Sequence, residues 1–150
     1  MKPQSFLLIL LLTAFTLNVS AQKFTSKWNM YLKRTEYFDK EGKLQGWSKY
    51  NEYLKRTEYY NSRGIMQRYE KQNQYQNRTE TKDKNGQTES TRSYNSYTQR
   101  EEVKDKNGYT IGYKKWNEYL KRYDYYDKSG KQKGYYKYND FLKRWEYYEK

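Results

Sequence analysis

The stretch YNEYLKRTEYYNSRG, residues 50–64, decides the fold, and it returns as WNEYLKRYDYYDKSG at residues 116–130. Working outward from it, the same phases recur every 22 residues. Arg34, Arg56, Arg78, Arg100, Arg122 and Arg144 share one phase, and Asn29, Asn51, Asn73, Asn95, Asn117 and Asn139 a second. Gly42, Gly64, Gly86, Gly108 and Gly130 mark a third. A fixed period of this length is the mark of a repeat architecture whose units are too small to fold alone and stack for stability.

Each unit carries two turn signals. Asp39 to Gly42, Asp83 to Gly86, Asp105 to Gly108 and Asp127 to Gly130 repeat an Asp-x-x-Gly element. Asp bonds the backbone ahead of it, and Gly supplies the positive φ of a type I turn with a glycine bulge. The second turn is expected at the repeated Asn, which tolerates turn conformations. Two strands and two turns fill the period, so an antiparallel β-meander of six two-strand units is predicted. Its strands fall near 23–28, 32–39, 43–50, 54–61, 65–72, 76–83, 87–94, 98–105, 109–116, 120–127, 131–138 and 142–149. The expected form is a single-layer or twisted sheet with open edges at 23–28 and 142–149. Alternation places Leu54, Arg56, Glu58 and Tyr60 on one face and Lys55, Thr57, Tyr59 and Asn61 on the other. The Arg and Glu phases are then expected to form charge rows across the sheet.

A mixed helical/β solenoid is the alternative. Trp116, Tyr119, Leu120 and Tyr123 follow helical spacing, as do Tyr138, Phe141, Leu142 and Trp145. Units three and four lack that stripe, reading Asn77-Arg78-Thr79-Glu80 and Gln99-Arg100-Glu101-Glu102 at the same phase. Between Glu70 and Lys104 the only rings are Tyr75, Tyr94 and Tyr97. A solvated, two-sided polar middle is therefore expected between two aromatic ends. It reads either as repeat decay or as a rigid spacer between two binding surfaces.

Composition narrows the setting. Residues 1–21 combine Lys2, an apolar run through Leu17 and small residues at Val19, Ser20 and Ala21, the pattern of a secretory signal peptide cleaved after Ala21. Residues 22–150 then form one repeat domain, with units starting near 29, 51, 73, 95, 117 and 139 and no transmembrane segment after cleavage. Export removes one of the 31 basic residues, Lys2, and none of the 18 acidic ones, leaving a net charge of +12. Such a chain attracts polyanions. The chain has no Cys, so it has neither disulfides nor a lipid-bearing cysteine. Low aliphatic content is offset by 21 Tyr and 4 Trp, which bury rings and keep polar tips wet.

The stretch Tyr125-Tyr126-Asp127-Lys128-Ser129-Gly130-Lys131, with Gly134 and Tyr135 following, resembles variant MORN-type repeats, including those of YwqK-like proteins. The resemblance covers the period throughout and the Tyr-Tyr and Gly positions in detail, with the second Gly present at Gly46, Gly112 and Gly134 and replaced by Arg68 and Ser90. It implies a twisted β-meander used as a contact scaffold, with no enzymatic activity.

The residues themselves point the same way. Without His or Cys, the usual nucleophile, base and zinc sets are unavailable. Glu36, Glu58, Glu80, Glu102, Asp124 and Glu146 form a single repeated phase and read as partners for the Arg row rather than as a catalytic pair. Asp39, Asp83, Asp105 and Asp127 read as turn formers rather than calcium ligands. Asn77-Arg78-Thr79 is formally a glycosylation sequon. No catalytic residue, metal or cofactor is expected. Candidate ligand contacts are Trp28, Trp47, Trp116 and Trp145, with Lys33, Lys55, Lys121 and Lys143. The expected function is an exported scaffold that binds an acidic protein or anionic polysaccharide at the envelope or outside the cell. Export disfavours intracellular nucleic acid. The alternative is a matrix or adhesive protein that self-associates edge to edge through its open strands.

Overall fold

A computed structural model describes residues 24–150; the signal-peptide reading and its cleavage point lie outside the described residues. Twelve antiparallel strands run in chain order: β1 Thr25–Asn29, β2 Arg34–Phe38, β3 Leu44–Asn51, β4 Arg56–Asn61, β5 Met66–Asn73 and β6 Arg78–Asp83, then β7 Thr88–Asn95, β8 Arg100–Asp105, β9 Thr110–Asn117, β10 Arg122–Asp127, β11 Gln132–Asn139 and β12 Arg144–Glu149. Every strand pairs with its sequence neighbours, and β1 pairs with β12, so the meander is a closed barrel. Thr25 faces Glu146 and Ser26 faces Trp145 at the seam, and the Tyr147 amide donates to the Phe24 carbonyl at 2.8 Å. Two expectations are corrected here. The sheet is not open, because accumulated strand twist brings its ends together. Its edges pair with each other and are no longer offered to another molecule. The phases that suggested helix are strand and loop.

Both turns follow from their residues. At the glycine end, the Gly64 amide donates to the Asn61 carbonyl at 3.0 Å, and the Asn61 side chain accepts from the Arg63 and Ile65 amides at 3.0 Å each. The five turn glycines sit at φ +79 to +87°, and a register shift follows each turn. At the other end the loop is longer than the sequence suggested, so the strand that follows each repeated Asn begins two residues late. Asn51 Oδ1 accepts from the Leu54 amide at 3.0 Å, and Lys55, not the Asn, turns left-handed at φ 50°. The same geometry holds in all six loops, with Lys33, Lys55, Asn77, Gln99, Lys121 and Lys143 left-handed.

The outer wall explains the three strict phases. Glu58 Oε1 accepts from Arg56 Nε at 2.8 Å and Asn51 Nδ2 at 3.2 Å. Burial works against the Glu58 charge, but hydrogen bonds from Tyr60, Arg56 and Asn51 hold its carboxyl below the usual range. The pattern recurs at Glu36, Glu80, Glu102 and Asp124. Each Arg thus grips the carboxylate two residues ahead on its own strand. Rows of adjacent arginines do not form, because a strand of the other type lies between equivalent strands. That strand carries rings instead: Arg56 lies 4.1 Å over Tyr69, Arg100 4.2 Å over Tyr113 and Arg122 3.9 Å over Tyr135.

Inward positions form layers. Ser26, Ser48, Glu70, Arg92, Lys114 and Tyr136 occupy one phase, and Tyr37, Tyr59, Thr81, Val103, Tyr125 and Tyr147 the next. Small hydroxyls meet large phenols: Ser26 bonds Tyr136 at 2.8 Å and Tyr37 bonds Ser48 at 2.7 Å. The middle units supply an enclosed ion cluster rather than a solvated face, with Arg92 between Glu70 at 3.0 Å and Glu101 at 3.5 Å, and Lys114 on Glu101 at 3.1 Å. Gly134 gives the Tyr147 ring its space. A Cβ there would lie 2.6 Å from Tyr147 Cζ and against the Tyr148 carbonyl. Gly134→Ala is therefore expected to lower stability by about 1–3 kcal/mol, read as a lower urea midpoint at constant slope.

Candidate binding rim

Each Asn-loop lifts one aromatic residue into solvent. Tyr31, Tyr53, Tyr75, Tyr97, Tyr119 and Phe141 are all more than nine-tenths exposed. They sit at a single phase of the repeat and crown one end of the barrel. This phase is aromatic in every unit. The buried ring phase of Tyr37 lapses to Thr81 and Val103, and the outer-wall phase of Trp47 and Tyr69 lapses to Thr91. The position whose ring the fold uses least is the one that never loses it. Sequence reading missed these six residues, although their persistence through units three and four was the available signal.

Cations surround the crown. Lys33, Lys55, Lys121 and Lys143 are exposed in the loops, each holding a left-handed conformation that costs a non-glycine residue roughly 1 kcal/mol. Units three and four place Asn77 and Gln99 there, and Asn is the easier occupant of that conformation. Lysine at four such positions is not explained by backbone preference. Below the loops, Lys27, Lys49, Lys71, Lys115 and Lys137 line the outer wall, all exposed. Glu52 and Glu118 pair with Lys55 and Lys121 across their loops.

The four tryptophans divide. Trp28, 49% exposed, and Trp116, 39% exposed, point inward at the barrel mouth immediately before Asn29 and Asn117. Trp116 donates to Glu118 and tilts against Tyr123 at 4.8 Å. Trp47 lies on the outer wall, stacked on Tyr60 at 3.9 Å with Arg34 over it at 4.9 Å. Trp145 is inside, stacked on Tyr136 at 4.8 Å and packed on the core. The barrel thus brings Trp28, Trp116 and all four candidate lysines to one rim, and uses Trp47 and Trp145 in packing.

The opposite end carries Lys40, Lys84, Lys106 and Lys128 in its turns beside Asp39, Asp83, Asp105 and Asp127, and its recurring rings, Phe38, Tyr60, Tyr126 and Tyr148, are half-buried on the strands rather than lifted into solvent by the turns. The two ends differ in how they present their rings. Asp83 and Asp105 each spend Oδ1 on amides of their own turn at 2.8–3.0 Å. Under the Phe141 loop a shallow cleft of about 340 Å³ is lined by Lys137, Tyr138, Asn139, Asp140, Glu146 and Tyr148. Comparison with protein-family models, curated proteins and solved structures finds no match.

Proposed function

We propose that this chain is an exported, non-enzymatic binding scaffold whose working surface is the Asn-loop rim, and that its partner at the envelope or outside the cell is anionic. The observation that carries this reading is the ring of six exposed aromatic tips, retained in units three and four, where the buried ring phase of Tyr37 has lapsed to Thr81 and Val103. The barrel is the frame. It holds six loops of equal length and equal backbone conformation at one end, so many weak contacts act together. Lysines in the loops and on the wall below supply the attraction, and exposed rings supply stacking and apolar contact. The repeated carboxylates are engaged by Asn and Arg, which leaves them structural. The reading is in keeping with the contact-scaffold role implied by the MORN-type resemblance.

The test is retention of residues 22–150 on immobilised heparin, used as a generic polyanion. Retention is expected at low ionic strength and loss in moderate salt. The variant K33N/K55N/K121N/K143N relieves backbone strain, so its urea midpoint is expected to stay level or rise. Its polyanion affinity is expected to fall at least about tenfold, since each cation near an anionic surface is worth about 1 kcal/mol. Wild-type protein that passes through heparin at low salt overturns the proposal, as does undiminished retention of the lysine variant.

A further inference from the structure

The outer wall is not uniform. At the phase of Thr91 other units place Trp47, Tyr69, Tyr113 and Tyr135, and at the phase of Ser93 they place Lys27, Lys49, Lys71, Lys115 and Lys137. Thr25, the remaining small residue of the first phase, is covered at the seam and 6% exposed. Among the described strands β7 alone carries small side chains at both phases, and both are partly exposed. The wall therefore dips there into a trough. It follows β7 for eight residues, about 26 Å, and is about 10 Å wide between β6 and β8. Its floor is the hydroxyls of Thr91 and Ser93, neither of which bonds another described residue. Thr91 lies between Glu80 on β6 and Lys104 on β8. Tyr69 on β5 and Tyr113 on β9 form the banks, with Arg56 4.1 Å over the first and Arg100 4.2 Å over the second.

We infer that one extended chain of an anionic polysaccharide, a polyuronate or a sulfated glycan, lies along this trough. The inference rests on the anionic-partner reading above and names the class of that partner and where it is seated. Charge supports it. Glu80 is held by Asn73, Arg78 and Lys82, and Glu102 by Asn95 and Arg100, so the carboxylates beside the trough are neutralised locally. Lys104 is left over. It stands where Tyr60, Tyr126 and Tyr148 stand in other units, and no carboxylate of the described residues pairs with it. Arg78 is 36% exposed and has Thr91 where Arg56 and Arg100 have a ring. Glu89 marks the glycine end of the strand, so the free cations lie in its middle. Packing does not account for the small floor, because Thr91 and Ser93 point outward and the interior lapse at Thr81 and Val103 is on the other face. The trough also opens at the rim between the loops Tyr75-Gln76-Asn77 and Tyr97-Thr98-Gln99, which offer rings, amides and a hydroxyl where the other four offer Leu and Lys. Hydroxyls and amides match a hydroxyl-rich chain, ammonium and guanidinium match its acid groups, and rings stack on sugar faces. An extended acidic peptide is the poorer fit. Such a peptide binds through main-chain bonds to an open strand edge, and every strand here is paired on both sides.

The test is calorimetric titration of residues 22–150, which contain the whole closed barrel, with polygalacturonate and, in parallel, with poly-glutamate. The variant T91Y/S93K refills the trough with the residues that neighbouring units carry at these outward positions, so its urea midpoint is expected to stay level or rise. It also adds one positive charge. Attraction by charge alone would then strengthen binding, whereas a filled trough should lower the affinity for polygalacturonate at least about tenfold. K104Q, which removes the unpaired ammonium, should weaken it about fivefold. Affinity that is unchanged or raised in T91Y/S93K, or unchanged in K104Q, overturns the trough and leaves the rim reading to its own lysine variant. Poly-glutamate that binds as tightly as polygalacturonate, and is lost equally in T91Y/S93K, overturns the polysaccharide assignment in favour of an acidic protein. Wild-type protein that binds neither polygalacturonate nor heparin overturns the anionic-partner reading beneath both.

Discussion

Arg92→Leu is expected to lower the unfolding free energy by about 3–5 kcal/mol, the largest single-residue effect in the molecule apart from the removal of a core ring. Arg92 reaches from β7 across β6 to Glu70 one repeat earlier, at 3.0 Å, and its Nε lies 3.5 Å from Glu101 on β8. Its side chain is 10% exposed and that of Glu70 5% exposed. Burial works against the Arg92 charge, but Glu70 and Glu101 together more than compensate. Removing the guanidinium takes away the ion pair of the enclosed Glu70 carboxylate and leaves it the Tyr59 hydroxyl and the more distant Arg68 charge, so much of its desolvation cost is no longer offset. Lys114 cannot take over, because it already serves Glu101 at 3.1 Å, and burial pushes its own ammonium below the ordinary range. The double variant E70L/R92L removes both charges and fills the space with apolar atoms, so it should recover most of the loss. Urea unfolding measures both. A single variant that unfolds at the wild-type midpoint would show the cluster to be solvated rather than enclosed.

The barrel is also expected to unfold cooperatively as pH rises above about 10. Burial raises the phenols of Tyr37, Tyr59 and Tyr125 well above their ordinary value, and it raises those of Tyr136 and Tyr147 too. Tyr60, on the outer wall, is pushed up to about 12 by burial and by the Glu58 carboxylate it donates to. A group that holds its proton more tightly when folded contributes stability that is fully present below its unfolded pKa, about 10 for Tyr. That contribution is lost as pH climbs toward the folded value. Several phenols act in the same direction here. Tyrosinate absorbance from these buried rings should therefore appear together with loss of the β-sheet circular dichroism signal. A buried class that titrates before the sheet melts would mean that the interior admits hydroxide without unfolding.

Much of the fold was legible because it is local. Asp83 bonds the amides two and four residues ahead, Gly86 takes a positive φ, and Asn51 closes a loop three residues long at its hydrogen bond; each is written within one turn of chain. Alternation likewise separates Arg56 and Glu58 from Thr57 and Tyr59 without reference to any other strand. The length of the Asn-loop was misjudged because the left-handed residue is most often Lys, which carries no turn signal of its own. The candidate rim takes in the four loop lysines and two of the tryptophans singled out from the sequence. Its six tips were not singled out, because a Tyr looks the same in sequence whether it is 4% exposed, as at Tyr37, or 96% exposed, as at Tyr31.

By itself, then, the chain's order of residues determined the hairpin units, their turns, the face each side chain takes and the grip of Asn and Arg on each carboxylate, since all of these depend on neighbours a few residues apart. Closure was decided only in three dimensions. Strand twist adds up over twelve strands before β1 can meet β12, and contacts such as Ser26 with Tyr136 join residues 110 apart. No single unit encodes that sum. It enclosed the polar middle that seemed destined for solvent, used up the edges that seemed free to pair, and turned two aromatic ends of the chain into one continuous side of a rim.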